Sequence, residues 1–316
     1  MKRTGMKKRN MLYPAQAAYT QPAFAQSKFM EKRFRIERYM WDALQKHEFE
    51  MWYQPQYDLR THTCLGAEAL VRWRSPQMGF MMPGSFIEIF EHNGFIRELD
   101  AYTLESVCAF QRRRLDWGEE LLPIFVNQSN RHIKEPGYAE KIAALLQKYR
   151  LSGHALGLEF TETAFTQINT KADVDMAAHV VEQLQDMGLL IAIDDFGTGY
   201  SSFLLLNILP VDLIKVDRSL LLAAVESYRA QMILSTIFEL GGRLKVRVLC
   251  EGIENRAEEH MVCALGGDEG QGFLFSRPLP AHAFAHWISC HASPAALGEP
   301  HVRRSRYPVQ LFRLQL

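Results

Sequence analysis

The sequence has no surplus of charge: 36 lysines and arginines balance 36 aspartates and glutamates over 316 residues. A protein that coats a nucleic-acid polymer would be clearly basic, so that class is excluded, whereas a small phosphate ligand held by a few local groups is not. No apolar run approaches the roughly 18 residues a membrane helix needs, and no membrane segment is expected. Cysteine is scarce and scattered: Cys64, Cys108, Cys250, Cys263 and Cys290 form no C-x-x-C pair. That is the pattern of reduced thiols and a cytoplasmic setting. The opening stretch MKRTGMKKRNMLYPAQAAYTQPAFAQ starts basic, but Tyr13, Pro14, Gln16, Gln21 and Pro22 break it where a signal peptide needs an apolar core. Low-complexity tracts are also lacking. The 47% hydrophobic content is an ordinary globular mixture, enough for a substantial core.

Neutrality is nevertheless a sum of unlike parts. Residues 1–10 carry five basic side chains and residues 300–316 carry four, with no acid in either end. Between them lie 27 basic and 36 acidic side chains, a net of −9. We therefore divide the chain into a basic tail or linker over 1–33, a domain over 34–292 and a basic tail over 293–316. Helical periodicity begins near Phe29.

From there, apolar runs of strand length alternate with amphipathic stretches. Strands are predicted near 49–59, 65–73, 121–129, 154–161, 189–196, 212–217, 245–251 and 270–275. Helices such as ESVCAFQRRRLDW, YAEKIAALLQKY and DMAAHVVEQLQDMG separate most of them. This alternation predicts an α/β fold, a TIM-like (β/α)8 barrel, with an open doubly wound sheet as the other arrangement of the same pattern. The gap between Leu59 and Leu65 is too short for a parallel crossover, which takes a dozen or more residues. The first strand should therefore run antiparallel to the second.

Seven of these strands carry a polar residue in otherwise apolar surroundings: Glu68, Asn127, Glu159, the Asp194-Asp195 pair, Lys215, Glu251 and Gln271. Such groups are costly inside strands unless paired or bound to metal. In a barrel the strand C-termini converge on one face, so these side chains would share one site. Carboxylates and an amide, without histidine or cysteine, suit hard cations such as Mg²⁺ or Mn²⁺. Adjacent Asp194 and Asp195 resist joint ionisation without a nearby cation. Five carboxylates and one amide exceed the needs of one hydrated ion, so two ions sharing a carboxylate is the economical reading. Such a pair activates water and clamps the leaving oxygen of a phosphodiester. Lys215 would orient the water or meet phosphate charge, and Glu251 would bind metal, take the proton, or both.

With YQP at Tyr53–Pro55, Glu68-Ala69-Leu70 followed by Arg72-Trp73, FIEIFEHNGFI at 86–96, FVNQS around Asn127, EFTET from Glu159, DDFGTGYSSF at 194–203, IKVDRS at 214–219, CEGIE at 250–254 and QGFLFSRPLP at 271–280, the chain resembles the EAL-domain phosphodiesterases. The resemblance covers about residues 34–290 and rests on the ordered series, since an EAL tripeptide alone would be weak. It implies a barrel with an antiparallel first strand and hydrolysis of cyclic di-GMP to linear pGpG. It also implies one metal on Glu68, Asn127, Glu159 and Asp194, a second on Asp194, Asp195 and Glu251, and Lys215 near the attacking water. Gln54, Leu70, Arg72, Asp217, Glu254 and Gln271 match substrate-binding positions; Arg72 shares strand parity with Glu68, and its planar guanidinium suits phosphate. Glu162 resembles the glutamate that holds the DDFGTGYSS loop, which in the family connects the site to a homodimer interface. The rival implied by the same resemblance is a catalytically silent cyclic di-GMP receptor or a partner-binding EAL-like protein. Neither a regulating signal nor a protein partner is readable.

Gln128 and Cys250 depart from the family's usual residues without removing a ligand position; Cys250 reads as a small buried strand residue. Gly266-Gly267-Asp268-Glu269-Gly270 resembles a GGDEF signature one residue off, but no synthase-sized segment accompanies it, and coincidence is the better reading. His282 and His286 have a metal-compatible spacing without a third ligand nearby and read as a helix face in water. The basic start, KRTGMKKRN, is either an ordinary tail or the end of a preceding GGDEF domain.

Overall fold

A computed structural model describes residues 20–162, 170–198, 206–207 and 209–291. The expected C-terminal tail and Gly199 to Phe203 of the DDFGTGYSSF segment lie outside these residues. The chain enters through α1 (Thr20–Gln45), which starts earlier than Phe29. Ile36 and Ala43 are its buried anchors, and once a turn is docked, extension through Ala, Gln and Lys adds little cost per residue.

Strands β1 (Phe49–Asp58) and β2 (Cys64–Ser75) then pair antiparallel over nearly their whole length, with Gln54 opposite Glu68. β3 (Gly79–Met81) folds back on the end of β2. Helices α2 (Ile87–Asn93) and α3 (Ile96–Asp116) follow. A parallel series comes next: β4 (Ile124–Asn127), α4 (Tyr138–Tyr149), β5 (Leu156–Thr161), α5 (Lys171–Asp186), β6 (Leu190–Phe196) and β7 (Leu213–Val216). The series ends with α6 (Arg218–Glu226), α7 (Tyr228–Leu244), β8 (Arg247–Cys250), α8 (Arg256–Ala264) and β9 (Glu269–Gly270). A short β10 (Leu279–Pro280) joins the edge of β1 and leads into α9 (Ala281–His291).

Pairing runs β1-β9-β8-β7-β6-β5-β4-β2 and closes through β1–β2, so eight strands form a barrel. β1 alone is antiparallel to both its barrel neighbours. The open-sheet alternative is thereby excluded. The eighth strand is shorter than the predicted 270–275, because the chain turns after Gly270. Gly272 packs so closely on the Ile253 backbone that an added Cβ would lie 2.0 Å from the Ile253 carbonyl oxygen. Leu274 then donates to that same carbonyl at 3.0 Å.

Side-chain alternation along the strands fills the barrel in two layers. Phe125, Ala192, Leu213 and Leu249 form one buried cluster in the interior. Gly157 completes this layer with no side chain, since a Cβ there would sit 2.2 Å from the Phe125 ring. Two positions further along the same strands come Asn127, Glu159, Asp194, Lys215 and Glu251. The apolar layer is the floor under the polar one. A separate aromatic cluster of Phe49, Trp73, Phe86, Phe90 and Phe95 fastens α1, α2 and α3 over the end of the β1–β2 pair.

Candidate functional site

Lys215 sits at the centre of the polar layer with no exposed surface. Its Nζ lies 2.8 Å from Glu251 Oε1, 2.9 Å from Glu159 Oε2, and 3.1 Å from both Glu68 Oε2 and Asp194 Oδ1. Burial alone would lower the ammonium's pKa, but Asp194, Glu159, Glu251 and Glu68 together hold it well above the ordinary lysine value.

One cation does not satisfy four carboxylates. Burial, with Glu68 and Asp194 adding to it, lifts Glu159 well above the usual range against the opposing pull of Lys215. Glu251 is pushed up to about 8, mainly by burial and partly by Asp194 and Glu68. Asp195 rises to about 6 through burial and the neighbouring Asp194 and Asp217. Glu68 is the exception: burial raises it, but Lys215, Gln271 and Asn127 outweigh that and leave it below its ordinary value.

The strands place these groups in two overlapping sets. Oxygens of Glu68, Glu159 and Asp194 lie within 4.8 Å of one another, as do those of Asp194, Asp195 and Glu251. Asp194 belongs to both. Within the first set, Glu159 Oε1 is buried without a hydrogen bond, and Asp194 Oδ1 meets only the Lys215 ammonium. An orphaned buried carboxylate oxygen, raised acid pKa values and an all-oxygen donor set together fit a hard divalent cation. Asn127 adds an amide beside the first set, donating through Nδ2 to Glu68 Oε1 at 3.0 Å.

Adjacent residues of a regular strand point to opposite faces, so Asp194 and Asp195 reach one site only because β6 is irregular. Its register with β7 shifts between Ile193 and Phe196, setting two aspartates opposite the single residue Lys215. Asp195 takes up the extra length with φ +55°, the left-handed region where aspartate is tolerated and most residues are not.

The substrate-type positions divide. Gln271 donates to Glu68 Oε2 at 2.7 Å and to Gln54 Oε1 at 3.2 Å, tying both to the carboxylate set. Arg72 is 4% exposed and lies over the Trp52 ring at 5.8 Å, two residues beyond half-buried Leu70 on the same strand face. Asp217 lies close enough to Asp195 to raise its pKa, and both Asp217 and Glu254 have local partners. Asp217 caps α6 by accepting the Ser219 N–H at 2.9 Å. Glu254 pairs with Arg218 at 2.9 Å. Glu162 is buried and lies 3.4 Å from the Gly197 N–H, at the start of the loop it was expected to hold.

One interior side chain escaped the sequence reading. Gln56 is fully buried and donates to Gln271 Oε1 at 3.3 Å. Its i,i+2 relation to Gln54 on β1 was the available signal, and the mixed polar composition of YQPQYD obscured it. Gln128 turns away from the carboxylates, accepting from the Tyr138 hydroxyl at 2.8 Å. Cys250 is buried, and burial pushes its thiol up, as for a structural cysteine. His282 and His286 are exposed on α9, and among the described residues they join no metal-type cluster. Asp268 and Glu269 of the GGDEF-like stretch pair with Arg60 and Arg247.

Fold and site together define an α/β-barrel protein with an acidic centre, compact enough to hold cations, at the carboxyl ends of its parallel strands. The chain belongs to the EAL domain family, whose model matches residues 38–278. It is 34% identical over 242 residues to a cyclic di-GMP phosphodiesterase of Pseudomonas aeruginosa, covering 76% of this chain and 40% of that protein. It is 35% identical over 239 residues to MucR of the same organism, named a bifunctional diguanylate cyclase/cyclic di-GMP phosphodiesterase, covering 76% and 34%. The chain thus spans well under half the length of these curated relatives. Among solved structures, a MucR phosphodiesterase in complex with c-di-GMP superposes with a TM-score of 0.73 at 33% identity, covering 79% of this chain and 99% of that one. An EAL enzyme in its cAMP- and cyclic-di-GMP-bound form gives 0.74 at 29% identity, covering 85% and 72%. Among the described residues no helix is long and apolar enough to cross a membrane.

Proposed function

We propose that this chain hydrolyses one ester of cyclic di-GMP to linear pGpG, through residues 34–292, in the cytoplasm. The observation that carries this reading is the pair of carboxylate sets sharing Asp194 around buried Lys215. Relatives named cyclic di-GMP phosphodiesterases, at 32–35% identity, support the substrate.

Glu68, Asn127, Glu159 and Asp194 would hold one divalent ion, Mg²⁺ or Mn²⁺, and Asp194, Asp195 and Glu251 a second. Bound there, such ions supply a water of lowered pKa and neutralise charge on the phosphoryl oxygens. The protein's own groups then divide the work. Lys215 keeps the carboxylates at short range before any ion arrives and presents a fixed positive charge toward the attacked phosphate. Glu251 would hold the second ion, accept the proton of the attacking water, or both. Arg72 receives a phosphate of the dinucleotide, its planar face set by Trp52. Gln271, bonded in turn to Gln54, holds the Glu68 oxygen that Asn127 does not reach while both glutamines border the substrate, with Leu70 as the apolar wall. Asp217 and Glu254 act at the edge of the substrate through the segments they fasten, and Glu162 steadies the loop that begins at Gly197.

Purified protein incubated with cyclic di-GMP and Mg²⁺ or Mn²⁺ is expected to yield pGpG, resolved by chromatography. Binding of cyclic di-GMP without pGpG would replace this reading with that of a receptor, and absence of binding with that of a partner-binding protein. The working species is proposed to be a homodimer. Leu222, Val225, Tyr228, Met232 and Ile233, all exposed on α6 and α7, supply an apolar surface of the kind subunits bury. Light scattering should give twice the chain mass; a fully active monomer would contradict it.

A further inference from the structure

A buried ionic group lies behind the loop that follows β4, outside the groups assigned above. Asp100 on α3 and His132 beyond the loop are each only 6% exposed. His132 Nε2 lies 3.0 Å from Asp100 Oδ2, and the same oxygen accepts the Ser129 backbone N–H at 2.8 Å. On the other edge of the ring, His132 Nδ1 lies 3.0 Å from Glu135 Oε2, and Lys141 pairs with the second Glu135 oxygen. A carboxylate oxygen at each ring nitrogen calls for a donor at both, which is the imidazolium.

Two lines of contact lead from this imidazolium to Asn127. The first passes through Asp100 to the Ser129 N–H, two residues past Asn127. The second passes through Tyr138, stacked on the His132 ring with centroids 4.9 Å apart. The Tyr138 hydroxyl donates to Gln128, and Gln128 Nε2 donates to the Asn127 carbonyl at 2.8 Å. The β4–β5 register ends at the Asn127–Glu159 pair, and one more backbone bond joins the Gln128 N–H to the Glu159 carbonyl at 2.9 Å. From Ser129 onward the chain is anchored to Asp100. Asn127 in turn fixes Glu68 through its amide.

We propose that Asp100 and His132 are positioning residues that set the Asn127 amide against Glu68 and thereby tune the grip of the first carboxylate set on a divalent cation. This rests on the two-ion reading above. The direction of the His132 pKa agrees: burial pulls it down, but Asp100 and Glu135 outweigh burial and hold it above its ordinary value. Partners that orient ligands from behind typically carry about 10- to 100-fold in metal affinity.

The test uses the full chain titrated with Mn²⁺, free ion being followed by electron paramagnetic resonance, alongside cyclic di-GMP turnover as a function of Mn²⁺. His132→Leu should weaken Mn²⁺ binding about tenfold and raise the Mn²⁺ needed for half-maximal turnover equally. Its rate at saturating Mn²⁺ should stay within about threefold of wild type, since no group touching substrate has changed. His132→Gln, which keeps a donor toward Asp100, should recover most of the loss. Asp100→Asn, nearly isosteric, is the second probe should the leucine variant fail to fold, and it should weaken Mn²⁺ binding in the same direction. Folded variants with wild-type Mn²⁺ affinity would overturn the inference while leaving the proposed function standing. A glutamine variant as weak as the leucine one, at wild-type melting temperature, would overturn it as a positioning role. Wild-type protein that neither binds Mn²⁺ nor turns over cyclic di-GMP would overturn both.

Discussion

Replacing Lys215 with methionine is expected to abolish cyclic di-GMP hydrolysis and to destabilise the metal-free protein at neutral pH. Methionine approximates the volume of the side chain, so the effect isolates charge. Four carboxylates lie within 3.1 Å of Nζ, and nothing in the floor of Phe125, Ala192, Leu213 and Leu249 can replace the lost donor. Breaking a buried ion pair by removing one partner costs about 3–5 kcal/mol, because the remaining charge is left uncompensated. Turnover should fall on the order of a thousandfold, the scale of losing one preorganised electrostatic group at a reacting centre. Divalent cation can substitute for part of the missing charge during folding but not for a donor at that place. Mn²⁺ should therefore raise the melting temperature of Lys215→Met more than that of wild type without restoring pGpG formation. Near-normal turnover, or a variant as stable as wild type without metal, would show that Lys215 is not the centre of the site.

Asp194→Asn is expected to be the most damaging single change among the carboxylates, since Asp194 alone belongs to both sets. An asparagine keeps the size and one acceptor oxygen but removes the charge shared by two ions. Each ion is worth several kcal/mol of charge stabilisation, so a loss of about three orders of magnitude or more in kcat is expected. The informative contrast is Asp195→Asn. Asparagine also tolerates the φ of +55° at this position, so the bulge is preserved, and only the second set loses a ligand. Counting bound Mn²⁺ should give two ions per chain for wild type, one for Asp195→Asn and none held tightly by Asp194→Asn. Two ions retained by Asp194→Asn would contradict its bridging assignment.

Local sequence determined a great deal here. Alternation of apolar runs and amphipathic stretches specified an α/β fold of eight strands, with closure into a barrel decided by the β1–β2 and β1–β9 pairings. Five residues between two strands were too few for anything but an antiparallel start. Polar residues in apolar strands marked most of the site, because a buried carboxylate or lysine has few other reasons to be there. What remained hidden was set by partners far away in the chain. That Asp194 and Asp195 point into one centre follows from a register shift against β7, not from their own strand, whose regular alternation would separate them. Gln56 became part of the interior only when β9 brought Gln271 beside it. Glu254 faces Arg218 because the helix after β7 lies beside the segment after β8. The end of the eighth strand was fixed by the contact of Gly272 with the Ile253 backbone. His132 carries no motif, and its role depends on Asp100 and Glu135 meeting it from either side. Periodicity is a property of neighbours along the chain and can be read there. Register, bulges and buried ionic contacts depend on which strands and helices finally pack together, and only the closed barrel decided them.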